Sequence, residues 1–121
     1  MFDLKQWIAK ATKMMTLDYD EYTVGTTGKV EARRSGHVVT VLIYSHTGKA
    51  YSAGAWTTLC TIGEQYRPAT RPLAIIYDNS SSTAAKLPMV ARIEPTGEVQ
   101  IWHFSDNGAS TTPCGTIVYL I

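Results

Sequence analysis

Cysteine is scarce in this sequence, and its two copies, Cys60 and Cys114, are too far apart for a metal or redox site of the Cys-x-x-Cys type. The histidines His37, His46 and His103 are scattered as well, and no close group of Asp, Glu, His and Cys has the spacing of a zinc or calcium site. We therefore predict no metal and no cofactor. Both cysteines lie in or beside hydrophobic strands, which favours free buried thiols and leaves a disulfide as the alternative.

Motifs of enzyme chemistry are also missing. There is no Gly-x-Ser-x-Gly turn and no His-Glu-x-x-His helix, and the stretch from Gly25 to Lys29 lacks the spacing and the ending of a Walker phosphate loop. The carboxylates that offer the residue type of a glycosidase pair are Asp78, Glu94, Glu98 and Asp106. Nothing in the sequence places any two of them at the separation of about 5–10 Å that such a mechanism needs. We predict a protein that is not an enzyme.

The chain has no excess charge of one sign and no long apolar run. Its 11 basic and 10 acidic residues are mixed, and a net charge of +1 provides no surface for nucleic acid or an anionic membrane. The close basic pair Arg33 and Arg34 is predicted to lie on a solvated strand face. No run could cross a bilayer, and charged residues between Asp3 and Lys13 interrupt any signal peptide. We expect no nucleic-acid partner, no membrane insertion, and folding in a cytoplasm.

The first segment with a clear pattern is an amphipathic helix, predicted from Asp3 to Met15. Its apolar residues recur at spacings of three and four and are Leu4, Trp7, Ile8, Ala11, Met14 and Met15. A helix of this length is marginal alone in water and must pack on something. It either covers the end of its own sheet or forms the last turns of a parallel multi-chain stem. The residues of that stem's seam would be Leu4, Trp7 or Ile8, Ala11 and Met14.

Beyond residue 16 the pattern is one of short strands separated by turns. Strands are predicted at residues 18–24, 29–34, 37–45, 55–62, 73–78, 87–94, 98–104 and 116–121. Turns are predicted at Gly25–Gly28, at Ser35-Gly36 and at Pro95-Thr96-Gly97. This pattern predicts an all-β fold, an antiparallel β-sandwich of the jelly-roll type with one short N-terminal helix. Residues 1–16 would form the helix and residues 17–121 the β domain.

Side-chain alternation within these strands predicts which faces are buried. In the fourth strand, one face would carry Trp56, Thr58, Cys60 and Ile62, with Trp56 as an aromatic anchor of the core. Residues 73–78 are apolar on both faces until their end, which is typical of a strand buried between layers. The last strand has no polar tail, and we expect it inside a sheet.

Polar and aromatic residues near strand ends offer the groups that sugar recognition needs, an aromatic ring against the C–H face of a pyranose and carboxylates or amides for its hydroxyls. These candidate saccharide-binding residues are Tyr51, Tyr77, Asp78, Trp102, His103, Asp106 and Asn107. Each has an ordinary structural alternative. Trp102 would belong to the core, His103 would be a buried imidazole with one hydrogen bond, and Asp106-Asn107 would be part of a turn.

Several segments between residues 37 and 121 resemble the C-terminal head domains of phage tail-fibre, receptor-binding and baseplate proteins. They are the strand from Val38 to Tyr44, Ser52-Ala-Gly-Ala-Trp56-Thr-Thr-Leu59, Gly63-Glu-Gln-Tyr-Arg-Pro68, and Ile93-Glu-Pro-Thr-Gly-Glu-Val-Gln-Ile101. The repetitive stem that usually precedes such heads is reduced here to one short helix. Saccharide-binding residues in this family follow no fixed motif, so none is carried over.

The resemblance implies a phage or prophage protein at the virion tail tip, a homotrimer that binds saccharide of the host cell envelope and contacts other tail or baseplate proteins. The alternative is a structural trimerisation or baseplate module that has no ligand of its own. The number three comes from the resemblance, because the sequence by itself supports only an oligomer.

Overall fold

The computed structural model describes residues 3–8, 17–25, 27–44, 54–79, 88–104 and 112–121. Within these ranges, residues 4–8 form a helical turn, α1, and Glu64–Tyr66 form a 3₁₀ turn. The strands are β1 (Leu17–Val24), β2 (Gly28–Ser35), β3 (Val38–Tyr44), β4 (Trp56–Thr61), β5 (Leu73–Asp78), β6 (Pro88–Ile93), β7 (Glu98–His103) and β8 (Pro113–Leu120).

All eight strands belong to one antiparallel sheet, in the order β1-β2-β3-β8-β5-β6-β7-β4. The all-β antiparallel fold predicted from the sequence is therefore confirmed. Strands β5, β6 and β7 follow one another as neighbours, and β4 lies beside β7, which is a Greek-key arrangement. The final strand, which begins at Pro113 rather than at residue 116, lies between β3 and β5, so its predicted place inside the sheet is also confirmed.

The two ends of the sheet, β1 and β4, are brought together by the corner that follows β4, and the sheet is nearly closed. The Tyr66 hydroxyl donates a hydrogen bond to Asp20 Oδ2 at 2.7 Å, and the Gly63 amide donates one to the Tyr22 hydroxyl at 2.9 Å. These side-chain bonds cover a sheet edge that would otherwise present unpaired backbone groups. The Glu-Gln-Tyr-Arg-Pro corner thus has a structural role.

The core lies on the inner side of this sheet. Its fully buried side chains include Val30, Val39, Val41, Ile43, Ile62, Tyr66, Met89, Ile93, Val99 and Ile101. Tyr66 is the largest of them, and its backbone carbonyl accepts a hydrogen bond from the Tyr119 hydroxyl. The aromatic anchor of the core is therefore Tyr66, whereas Trp56, predicted for that role, is only half-buried on the outer side.

Two hairpin turns predicted from the sequence are confirmed. Ser35 pairs with Val38 across a two-residue loop, and Gly36 has φ of 59°, which is the position where a type II′ turn needs glycine. In the β6–β7 hairpin, the Gly97 amide donates a hydrogen bond to the Glu94 carbonyl at 2.8 Å, and Gly97 has φ of 99°.

The predicted face of β4 is wrong because the strand contains a bulge. Its register with β7 shifts between Thr58 and Cys60. Since an extra residue in one strand reverses the alternation, Trp56 and Thr58 face outwards, whereas Cys60 packs against the core with Ile62. A period-2 reading of the sequence cannot detect such a bulge.

The predicted burial of β5 on both faces is wrong as well. Ile76 is buried, but Leu73 is 62% exposed and Ile75 is 73% exposed on the outer side. Within the single chain, only the inner face of β5 is covered.

The predictions for the thiols and the helix have mixed outcomes. Cys60 and Cys114 are both free, so the disulfide alternative is excluded, but each is half-buried rather than buried. The helix begins as predicted, since the Asp3 carboxylate accepts hydrogen bonds from the amides of Lys5 at 3.0 Å and Gln6 at 3.3 Å. Residues 9–16 lie outside the described ranges, so the rest of the predicted helix and the predicted boundary at residue 16 stay predictions.

Candidate functional site

An aromatic surface lies on the outer side of the sheet where β4, β7 and β6 are neighbours. Trp56 and Trp102 are paired in register, with ring centroids 5.5 Å apart and an interplanar angle of 60°. Val90 pairs with Trp102 on the next strand, and Phe104, just beyond β7, is 57% exposed. These four residues, which we call the aromatic shelf, line a shallow depression of about 370 Å³.

A cation fixes one side of the aromatic shelf. The Arg92 guanidinium lies 3.8 Å from the centroid of the Trp56 ring. The same group donates a hydrogen bond to Gln100 Oε1 at 2.7 Å and forms an ion pair with Glu94 at 3.0 Å. Because Arg92 is held from three directions, it restrains the Trp56 ring and places polar groups next to the aromatic faces. Aromatic rings that are partly open to solvent beside fixed polar groups are the combination that a saccharide site needs.

A second outer feature is a groove of about 340 Å³ across β3, β8 and β5. Its centre is a row of three side chains, Tyr44, Cys114 and Tyr77, which are neighbours across the strands. A hydrogen bond with Cys114 raises the pKa of Tyr77. Lys29 and Glu31 of β2 form one rim of this tyrosine groove.

The outer face of β1 and β2 is charged instead. Lys29 forms ion pairs with Glu31 at 3.2 Å and with Glu21 at 3.7 Å, and Arg33 pairs with Glu31 at 3.0 Å. The hydrogen bond from Lys29 holds the pKa of Glu31 below its usual range, and the same bond raises the pKa of Lys29. Arg33 also lies over the Tyr19 ring. We call this network the charged face. Arg33 belongs to this solvated strand surface, as predicted, whereas Arg34 faces the other side and donates hydrogen bonds to the carbonyls of Gly36 at 2.8 Å and Gln65 at 2.9 Å.

The structure separates the predicted saccharide-binding residues from one another. Tyr77 faces the tyrosine groove and Trp102 the aromatic shelf, at different places on the outer surface. Their chain neighbours Asp78 and His103 point inwards and are each 1% exposed. Residues Tyr51, Asp106 and Asn107 lie outside the described residues.

The prediction that Asp78 and His103 contact a ligand is therefore wrong, because both side chains are buried. Successive strand residues face opposite sides of a sheet, so neither pair of neighbours in the chain can act on one ligand. The Asp78 carboxylate has a structural role, because it accepts a hydrogen bond from the Thr112 amide at 3.0 Å just before β8 begins. His103 is buried opposite Met89, in agreement with the alternative of a core imidazole.

Sequence reasoning missed Trp56 and Phe104 as parts of the outer aromatic surface. The sequence pattern predicts a core position for Trp56, because the bulge in β4 has no signature in the sequence. The sequence does contain a signal for Phe104, because it lies two residues after Trp102 and therefore on the same side of the strand. Its outward position can be predicted once Trp102 is known to face outwards.

The predicted stem residues in the described turn are open to solvent. Leu4 and Trp7 are each 57% exposed and Ile8 is 49% exposed, so this turn does not bury them against the sheet. The alternative in which the helix covers its own sheet is thus not supported by residues 4–8. The two remaining seam residues, Ala11 and Met14, lie outside the described ranges.

Among the described residues, no group of His, Cys, Asp and Glu could hold a metal ion, and no helix there is long and apolar enough to cross a membrane. A scan against protein-family models and a search of curated proteins find no match to this chain.

Proposed function

We propose that this protein is a phage or prophage receptor-binding tip domain, which binds saccharide of the host cell envelope and assembles as a homotrimer at the virion tail. The observation that carries the saccharide part is the aromatic shelf, in which the exposed Phe104 and the half-buried Trp102 offer ring surface on the outer side of the sheet. Shallow apolar surfaces with a few fixed polar groups suit sugars, whose rings have an apolar C–H face and a hydroxyl rim.

The polar part of the proposed site comes from the groups beside Trp56. Gln100 donates a hydrogen bond from Nε2 to Thr58 Oγ1 at 3.1 Å, and its Oε1 accepts the bond from Arg92. These three side chains lie on the same outer face and are oriented by one another, so they would meet sugar hydroxyls without further loss of side-chain freedom. Asp106 and Asn107, which follow Phe104 in the chain, stay part of the proposal as predicted amide and carboxylate contacts.

A glycan array probed with the purified protein tests this proposal. We expect binding to a subset of cell-envelope saccharides, and a loss of affinity of roughly tenfold, or about 1.4 kcal/mol, in Trp102→Ala and in Phe104→Ala. Tyr19→Ala is the matched control, because Tyr19 is an exposed aromatic residue on the charged face, away from the aromatic shelf.

Phe104→Ala protects the test against a folding artefact. Phe104 lies after the end of β7 and is 57% exposed, so its removal should leave the core intact, and circular dichroism can verify this. Equal glycan binding by the wild type and both shelf variants would refute the assignment of the shelf.

The second candidate function is a structural module of a tail or baseplate, with no ligand. The observation that favours it is the outer side of β5 and β8, where Leu73, Ile75, Val118 and Leu120 are 60–74% exposed. Surfaces of this kind are usually covered by other protein. An array without any bound glycan, together with a stable oligomer in solution, would favour this function over the first.

A further inference from the structure

The outer surface of the sheet is divided into two chemically different halves. On β1 and β2 it carries the charged face. On the adjacent strands β3, β8 and β5, the outward positions are every second residue of 38–44, 114–120 and 73–77, and none of them is charged. About a quarter of the residues of a typical globular domain are charged, and most charged residues are on the surface. We call this uncharged half the apolar face.

Exposure on the apolar face is high. Its most exposed members are Leu120 at 74%, Ile75 at 73%, Leu73 at 62%, Val118 at 60%, Tyr44 and Tyr77 at 50% and Val38 at 42%. An antiparallel sheet with one solvated face normally alternates apolar residues with polar ones, as β2 does with its outward Lys29, Glu31 and Arg33. Strand β5 departs from this rule, because it has the composition of a strand that is covered on both sides.

The size of the apolar face approaches that of a protein interface. Burying one aliphatic side chain contributes about 1.5–3 kcal/mol. At about 25 cal/mol per Å² of apolar surface, this energy corresponds to roughly 60–120 Å² of buried surface per side chain. Allowing for their partial exposure, the side chains of the face together offer on the order of 500 Å² of apolar surface, compared with the ~800 Å² that each partner buries in a standard interface.

We propose that the occupant of the apolar face is a second copy of this chain. The inference rests on the proposed assembly of copies and specifies its surface, namely the outer side of β5 and β8 instead of the helix alone. Interfaces between identical chains are more apolar than other interfaces. The uncharged faces of three copies can pack together around the axis of the proposed homotrimer without like-charge repulsion, whereas a partner recognised by its charge would find no counter-charge here.

The boundary of the apolar face fits the same arrangement. Glu31 and Leu42 are paired across β2 and β3, as are Lys29 and Tyr44, so one acidic and one basic side chain adjoin the apolar positions. A rim that carries both signs is complementary to its own copy, and a polar rim around an apolar centre is the usual anatomy of an interface.

The test is the mass of the protein in solution, measured by light scattering over a concentration series for the wild type and for Ile75→Glu. We expect a multiple of the 13.3 kDa chain mass for the wild type and the mass of a single chain for Ile75→Glu. Ile75 has little contact with the core, so the substitution should not unfold the domain, and circular dichroism checks this. Leu17→Glu is the matched control, because Leu17 is a 57% exposed leucine on β1, outside the apolar face. It should leave the mass unchanged.

Alkylation of Cys114 provides a second measurement. Cys114 lies between Tyr44 and Tyr77 in the row of the apolar face where β3, β8 and β5 are neighbours, so a second copy on this face would cover it. Peptide mass spectrometry should find faster alkylation of Cys114 in Ile75→Glu than in the wild type or in Leu17→Glu.

Two outcomes would overturn the inference, a wild-type protein with the mass of one chain or an Ile75→Glu variant that stays multimeric. In the second case the helix seam would hold the copies, and the double variant Leu4→Glu/Ile8→Glu should then dissociate them. Failure of the saccharide proposal is distinguishable, because calorimetry gives the glycan affinity per chain. If the Ile75→Glu variant has the mass of one chain and still binds glycan through Trp102, both proposals are supported. If the wild-type protein is multimeric but binds no glycan, only the proposed interface is supported.

Discussion

The Tyr66 hydroxyl donates a hydrogen bond of 2.7 Å to Asp20, and this contact joins the corner after β4 to the edge strand β1. Gln65 adds a second bond to the same carboxylate at 3.2 Å, and Arg34 of β2 donates to the Gln65 carbonyl at 2.9 Å. The two ends of the sheet therefore meet through side chains, in place of a continuous ladder of backbone hydrogen bonds.

Tyr66→Phe should lower the free energy of unfolding by about 1–3 kcal/mol, because it removes a hydrogen bond to a charged carboxylate and leaves the apolar ring in place. Urea denaturation followed by circular dichroism measures the change. Tyr19→Phe is the control, since the Tyr19 hydroxyl also bonds a carboxylate, Glu21, but at the exposed surface. A loss in Tyr66→Phe no larger than that in Tyr19→Phe would show that the corner does not hold the sheet ends together.

Alkaline pH should destabilise the fold. Burial, and secondarily the bond to Asp20, raise the pKa of Tyr66, and burial raises the pKa of Tyr119. The unfolded chain therefore loses these protons first, near pH 10, while the folded chain keeps them. The stabilisation is fully present below about pH 10 and is lost as the pH rises from there towards the folded-state values. Urea midpoints measured from pH 8 to pH 11 should fall, and less steeply in Tyr66→Phe.

Gly115→Ala should destabilise the protein by roughly 1–3 kcal/mol, the usual cost of overpacking a core. A Cβ atom at position 115 would lie 2.3 Å from Ile76 Cγ2 and 2.6 Å from Ile76 Cβ, and the Cβ atom of Ile76 cannot move without displacing β5. Gly63→Ala is the matched control, because the nearest atom there is Gln65 Oε1, the end of a flexible side chain, which can shift at the cost of its solvent-exposed hydrogen bond to Asp20. Thermal denaturation of both variants should therefore give a clearly lower midpoint for Gly115→Ala, and equal midpoints would contradict this packing.

Cys60 should resist alkylation in the folded protein. Burial raises the pKa of its thiol to about 12, so very little reactive thiolate exists at neutral pH. Iodoacetamide at pH 8, followed by peptide mass spectrometry, should label Cys60 at least ~100-fold more slowly in the native protein than in urea. No reducing agent is needed, since both thiols are free. Rapid native labelling of Cys60 would place it outside the core.

Local sequence patterns specify the secondary-structure elements of this protein. The period-2 alternation of β6 and β7, the glycines at positions 36 and 97, and the aspartate at position 3 each act through local geometry, so the strands, hairpin turns and helix start could be predicted within one or two residues. Only β8 was predicted too short at its start, because Pro113, Cys114 and Gly115 read as loop residues.

Tertiary structure alone decided how these elements face one another. The bulge in β4 turns Trp56 outwards next to Trp102. The pleat of β5 places Tyr77 and Asp78 on opposite sides of the sheet. Of the four residues of the aromatic shelf, the sequence therefore predicted only Trp102 as a site residue. The place of β8 between β3 and β5 created the apolar face from residues far apart in the chain. Such pairings depend on register and strand order, which are set by packing and hydrogen bonds between distant segments, and no local pattern encodes them.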